Sequence, residues 1–211
     1  MKIVTFSYKD VDDLCSNTYV IIDSKNRCVV IDPSKDNDSL TNYLIKNDLN
    51  IVGILLTHGH LDHFKGAKRL ISRFNTPLYI SFLDECFLKD VHLNCSKYIG
   101  EEYTLDFKSK TLIDNEVISL LDEEIVALAT PYHTAGSMCY YIKTQKALFS
   151  GDSLFKGTIG RTDLPTGNRK QILPSLQRIF SLEEDTKVYP GHGQTTILKN
   201  ESDIIKFVKG F

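Results

Sequence analysis

The chain has 211 residues, 42% of them apolar and 25% charged, with a formal net charge of −2. That length allows one large domain or two small ones, enough for a self-sufficient core, and the composition is that of a soluble globular protein. The near-neutral charge argues against a general nucleic-acid surface, and no apolar run approaches the ~20 residues of a membrane span.

The predicted elements alternate between strand and helix. Residues Met1 to Phe6 begin at once as a strand with no secretory signal, so a cytoplasmic location is expected. Strands are predicted over Ile3–Ser7, Thr18–Asp23 and Arg27–Ile31, followed by a helix starting near Ser34–Asp38 and ending near Asn47. The apolar run Ile51–Leu56 is a strand. A helix from about His63 to Phe74 places Leu70, Ile71 and Phe74 at helical spacing, and Thr76-Pro77 stops it. A short strand follows at Leu78–Ile80. Residues 81 to 110 are irregular and mixed in charge, and a short helix and a loop over a site are expected there. Strands near Glu116–Leu120, Ile125–Ala129, Cys139–Lys143, Ala147–Phe149 and Lys187–Tyr189 come next. A helix from about Lys170 to Phe180 and a last one after Asn200 complete the chain. The expected class is α/β.

Chemistry concentrates at the ends of these strands. Thr57-His58-Gly59-His60-Leu61-Asp62-His63 follows the run Ile51–Leu56. On a helix, residues two apart point about 200° from each other, so that spacing suits a strand end entering a loop. There His58 and His60 face one way, and Asp62 and His63 turn off as the chain bends into a helix, a geometry suited to two adjacent ions. His133 follows Ile125–Ala129, Asp152 follows Ala147–Phe149, and His192 follows Lys187–Tyr189. Each sits beside Gly or Pro, which permit tight turns. Ligands drawn from several strand ends make a concave site of the kind α/β folds favour. Imidazoles and carboxylates without thiolates indicate Zn, Mn or Fe. Two divalent ions ~3.5–4 Å apart can share a water whose pKa falls towards ~7, while one of them polarises a carbonyl. No G-x-S-x-G elbow is present, which argues against a serine nucleophile. The cysteines Cys15, Cys28, Cys86, Cys95 and Cys139 are scattered, with no C-x-x-C, and read as reduced thiols, most of them small buried hydrophobes.

The pattern H-x-H-x-D-H, a later lone His, an Asp after Gly and a final Gly-His-Gly resemble the metallo-β-lactamase superfamily. Gly151-Asp152-Ser153-Leu154-Phe155 through Gly160-Arg161-Thr162-Asp163, and Tyr189-Pro190-Gly191-His192-Gly193 followed by Thr195-Thr196, resemble its short glyoxalase II-like branch. The likeness runs from Asn17-Thr18-Tyr19 and Ile31-Asp32-Pro33 to Thr196. It implies one αββα domain over residues 1–211, with two mixed sheets flanked by helices and the site at one sheet edge. It also implies that His58, His60 and His133 hold one ion, that Asp62, His63 and His192 hold a second, and that Asp152 bridges them. A metal-bridging water or hydroxide is then the nucleophile. The implied reaction is hydrolysis of a small-molecule thioester, with Asp62 and Asp152 in the catalytic centre. The implied cofactors are two divalent ions, zinc first, with iron or manganese as alternatives; no nucleic-acid or membrane partner is implied.

Other residues carry weaker expectations. The resemblance sets Arg161 and Asp163 beside the substrate, where they either touch it or brace each other as an ion pair. Tyr132 stands where the family usually has Gly; beside His133 it is expected to border the substrate and narrow the site, the alternative being a different turn. Asp32 either supports a ligand histidine or caps the following segment. His92 has no motif around it and reads as a loop histidine. Only residues 193 to 211 follow His192, enough for one helix but not for the C-terminal domain with which longer glyoxalase II enzymes bind glutathione. The same residues also resemble the persulfide dioxygenase branch, where positions matching His58, His133 and Asp152 hold a single iron. Lactam hydrolysis is less expected, since the commonest lactamases have Cys where Asp152 stands.

Overall fold

A computed structural model of the chain describes residues 1–8 and 15–209. The first half builds one sheet from β1 (Lys2–Phe6), β2 (Thr18–Ile22), β3 (Arg27–Ile31), β4 (Asn50–Leu55), β5 (Leu78–Ser81) and β6 (Lys110–Leu112), in that spatial order. β1, β2 and β3 pair antiparallel, and β3 to β6 pair parallel. The parallel steps after β3 and β4 are made by helices α1 (Asp38–Lys46), α2 (Leu61–Phe64) and α3 (Ala67–Phe74).

The second half builds the other sheet. Its strands are β7 (Val117–Ile118), β8 (Ile125–Ala129), β9 (Met138–Ile142), β10 (Ala147–Gly151), β13 (Lys187–Pro190) and β14 (Thr196–Ile197), ordered β14-β13-β10-β9-β8-β7. A hairpin of β11 (Leu154–Phe155) and β12 (Thr158–Ile159) stands apart, and α4 (Ile172–Ile179) and α5 (Ser202–Lys209) follow. β8 and β10 are each antiparallel to β9, and β13 is parallel to β10. β8, β10 and β13 therefore end at the same rim.

Period-2 alternation sorts the strand side chains into three apolar layers. Val20, Ile22, Cys28 and Val30 pack outward with Leu40, Leu44 and Leu70 of α1 and α3. Tyr19, Ile21, Val29 and Ile31 turn inward to meet Met138, Tyr140, Ile142 and Phe149 of the second sheet. Cys139, Tyr141 and Leu148 point out from that sheet onto Leu176 and Ile179 of α4. Three layers of core between four layers of structure make an αββα sandwich. Each fully buried Val, Leu, Ile or Phe contributes roughly 1.5–3 kcal/mol.

The structure corrects the expected elements in places. The helix predicted from His63 to Phe74 is two helices, because the chain turns at Lys65-Gly66 and Gly66 N donates to Pro33 O at 2.8 Å. Asn75, left-handed at φ 50°, then ends α3 before Pro77. The strand expected over Glu116–Leu120 keeps only Val117–Ile118, and the helix expected from Lys170 begins as a 3-10 turn at Arg169–Gln171. β6, β11, β12 and β14 are too short to show a periodicity. Among the described residues, no helix is long and apolar enough to cross a membrane.

Candidate metal centre

The strand ends deliver the chemical groups to one place. β4 runs into His58 and His60, and α2 turns Asp62 and His63 inward. The loops after β8, β10 and β13 carry His133, Asp152 and His192. Two bonds close the sheets at this rim: Met138 N donates to Thr57 O at 2.8 Å, and the Tyr140 hydroxyl donates to Leu56 O at 2.7 Å.

Two ligand sets result. In the first, His60 Nδ1 lies 3.0 Å from both His58 Nε2 and His133 Nε2. Three imidazole nitrogens cannot converge this closely as bare acceptors; a shared proton or cation must lie among them. In the second set, Asp62 Oδ2 lies 3.1 Å from His192 Nε2 and 3.6 Å from His63 Nε2. Asp152 stands between the sets. Its Oδ2 is 3.5 Å from His133 Nε2, while its Oδ1 is 3.3 Å from His63 Nε2 and 3.7 Å from His192 Nε2. Gly191 makes this approach possible, since a Cβ there would lie 2.3 Å from Asp152 Oδ1.

The donors fit a pair of cations. Among the described residues, His63 Nε2 and Asp152 Oδ1 are buried without a hydrogen-bond partner, a cost of about 1–3 kcal/mol each unless an ion takes the lone pairs. His60 Nε2, the ring's other nitrogen, is likewise unpartnered, and nothing in the described structure accounts for it. Imidazole and carboxylate donors without thiolate suit Zn, Mn or Fe.

Buried partners fix the orientations. Asp32 Oδ2 lies 2.8 Å from His63 Nδ1 and accepts from the Thr57 hydroxyl at 2.7 Å, while its Oδ1 accepts from Thr57 N at 2.8 Å. Of the two readings of Asp32, the structure places it beside the histidine. Its φ of 48° is left-handed, a conformation Asp tolerates better than most residues. Arg161 O lies 2.8 Å from His133 Nδ1. Asn17 holds the His192 loop, with Nδ2 donating to Pro190 O and Gly193 O at 3.0 Å each.

The electrostatics divide the site. Burial, reinforced by neighbouring imidazoles, pushes His58 well down, and burial with the His133 charge takes His60 to about 3. Burial also works against charge on His63, but the carboxylates of Asp62, Asp32 and Asp152 together outweigh it and raise that pKa. His192 is raised in the same way, by its hydrogen bond to Asp62 and the charge of Asp152. Burial opposes ionisation of Asp62 and Asp152, yet the histidines hold both below the usual carboxylate range.

An open cleft of about 230 Å³ leads to these groups, walled by Leu61, Asn94, Cys95, Ile99, Arg161 and Leu164. Arg161 lines it while donating to both oxygens of Asp163, at 2.6 and 2.5 Å; Asp163 itself is exposed and braces the arginine. Tyr132 corrects the expectation of a substrate contact. Its ring is fully buried and its hydroxyl donates to Ser153 O, so it supports the loop of Asp152 from inside. His92 is exposed and belongs to neither ligand set. Cys28, Cys86, Cys95 and Cys139 are free thiols, with Cys28 and Cys139 buried. Sequence reading missed Cys95 at the cleft wall and the buried Asp84 beneath the histidine loop, because neither belongs to a motif.

Comparison with known proteins gives concordant results. Residues 12–192 match the family described as Metallo-beta-lactamase superfamily. The "Probable metallo-hydrolase YqgX" of Bacillus subtilis (strain 168) is 32% identical over 203 residues, 95% of this chain and 96% of that one. The "Hydroxyacylglutathione hydrolase GloC" of Haemophilus influenzae is 30% identical over 188 residues, 88% of this chain and 89% of that one. Among solved structures, BLEG-1 B3 metallo-beta-lactamase superposes with a TM-score of 0.91 at 32% identity, covering 99% of this chain and 100% of its own. The di-iron-bound form of TTHA1623 gives 0.84 at 29% identity, covering 98% and 100%.

Proposed function

The chain belongs to the metallo-beta-lactamase superfamily, and from that premise we propose that it is a binuclear metal-dependent hydrolase whose substrate is a thioester. The observation that carries the binuclear reading is Asp152, with one carboxylate oxygen toward His133 and the other toward His63 and His192. The choice of thioester draws support from the 30% identity to a hydroxyacylglutathione hydrolase.

His58, His60 and His133 would hold one ion, Asp62, His63 and His192 the other, and Asp152 both. When bound, such a pair polarises a carbonyl and brings the pKa of water from ~15.7 towards ~7. The residues themselves favour a good leaving group. Asp62 and Asp152 are held ionised, so neither has a proton to give at neutral pH. A thiol of pKa ~8.5 departs readily as thiolate, whereas an amine must be protonated as it leaves. Leu61, Ile99 and Leu164 offer apolar wall to the carbon skeleton, and Arg161 offers a cation at the rim. The test is thiol release from S-lactoylglutathione and from neutral acyl thioesters by zinc-loaded protein. Release from at least one supports the reading, and release from none contradicts it.

A lactam is a second reading, favoured by the likeness to BLEG-1 over nearly the whole of both chains. Turnover of a chromogenic cephalosporin faster than of any thioester would move the assignment there.

A further inference from the structure

Asp84 lies in the irregular segment between β5 and β6, outside the ligand sets, and its side chain is fully buried. Its carboxylate accepts three hydrogen bonds, from two backbone amides and one hydroxyl. Oδ2 accepts from Gly59 N at 3.0 Å and from the Thr134 hydroxyl at 2.7 Å, and Oδ1 accepts from Gly136 N at 2.8 Å. Gly59 separates His58 from His60, and Thr134 follows His133. One carboxylate therefore joins the histidine loop of the first sheet to that of the second. The fit is close, since a Cβ on Gly136 would lie 2.5 Å from Asp84 Oδ1.

We propose that Asp84 is a positioning residue for the His58, His60 and His133 set, clasping the two loops that must converge for those three nitrogens to share one ion. The inference rests on the metal pair and not on the identity of the substrate. The second set has a different anchor, the Asp32 to His63 contact on the other side of Thr57. Loss of the Asp84 clasp should therefore weaken one set and spare the other. An amide in its place would turn an N–H toward one of three donors, leaving a buried bond unmade.

The experiment measures zinc affinity, by competition with a chromophoric chelator, in proteins that retain one set at a time. His192→Ala protein keeps the three-histidine set, and His60→Ala protein keeps Asp62, His63 and His192. Adding Asp84→Asn should lower affinity roughly 10- to 100-fold in the His192→Ala protein, the usual range for loss of a group that orients metal ligands. In the His60→Ala protein the same substitution should leave affinity unchanged. Thr134→Val, which removes one of the three bonds, should give a smaller loss with the same selectivity and serves if Asp84→Asn does not fold. Equal losses in both backgrounds, or no loss in the His192→Ala background, would overturn the proposal.

Discussion

Asp32 Oδ2 sits 2.8 Å from His63 Nδ1, with both side chains buried. With its Nδ1 proton shared with this carboxylate, the ring aims Nε2 at Asp62 and Asp152, and the proton that an entering ion displaces is the one on Nε2. Asp32→Asn would set an amide against a histidine nitrogen and the Thr57 donors. We expect metal affinity to fall roughly 10- to 100-fold, with the fold retained by circular dichroism. Unchanged affinity would mean that the contact does not orient the ring.

Asp152→Ala removes the group that both ligand sets share. The bound metal per chain should drop well below the wild-type ratio and hydrolysis should cease, because two cations would face each other without the carboxylate between them. Elemental analysis of purified protein checks this; wild-type metal content in the variant would remove Asp152 from its bridging role.

His92→Ala is the opposite case. The side chain is exposed, its ring nitrogen faces Lys97 Nζ at 3.3 Å, and it belongs to neither ligand set. Metal content and turnover should both stay within experimental error of wild type. A large loss of either would show that a ligand has been misassigned.

Proton release on metal binding should differ between the two sets. His63 is raised well above its ordinary value and His192 is raised as well, so an entering ion has more protons to displace here than at the other set, and affinity falls as pH falls. His58 and His60 are lowered and already neutral, so their ligation releases none. Calorimetry in buffers of different ionisation enthalpy should find more protons released per ion in His60→Ala protein than in His192→Ala protein. Equal release would contradict the divided electrostatics.

The site was more legible in the sequence than its supports. His58, His60, Asp62 and His63 stand together in the chain, and His133, Asp152 and His192 each follow an apolar run and a turn residue, so local patterning sufficed to bring them forward. Asp84 was not legible because its partners Gly59, Thr134 and Gly136 lie 25, 50 and 52 residues away. Tyr132 misled for a related reason. Its neighbour His133 faces the cleft, and adjacency in the chain suggested a shared face; successive side chains point opposite ways here, and the ring goes inward to Ser153. The break between α2 and α3 was hidden because the helical spacing of Leu70, Ile71 and Phe74 lies wholly after Gly66 and says nothing of the chain before it, and the bond of Gly66 to Pro33 is a tertiary one.

The central claim is a hydrolase that works through a Lewis acid and water. The most direct test reloads metal-free protein with zinc or with ferrous iron. Thiol release from acyl thioesters is followed beside oxygen consumption with glutathione persulfide. Hydrolysis needs neither oxygen nor a redox-active metal, so zinc-loaded protein should release thiol under anaerobic conditions, faster as pH rises through neutrality. Oxygen uptake that requires iron, with no thiol released from any acyl thioester under either metal, would contradict the account and assign the site to oxygenation.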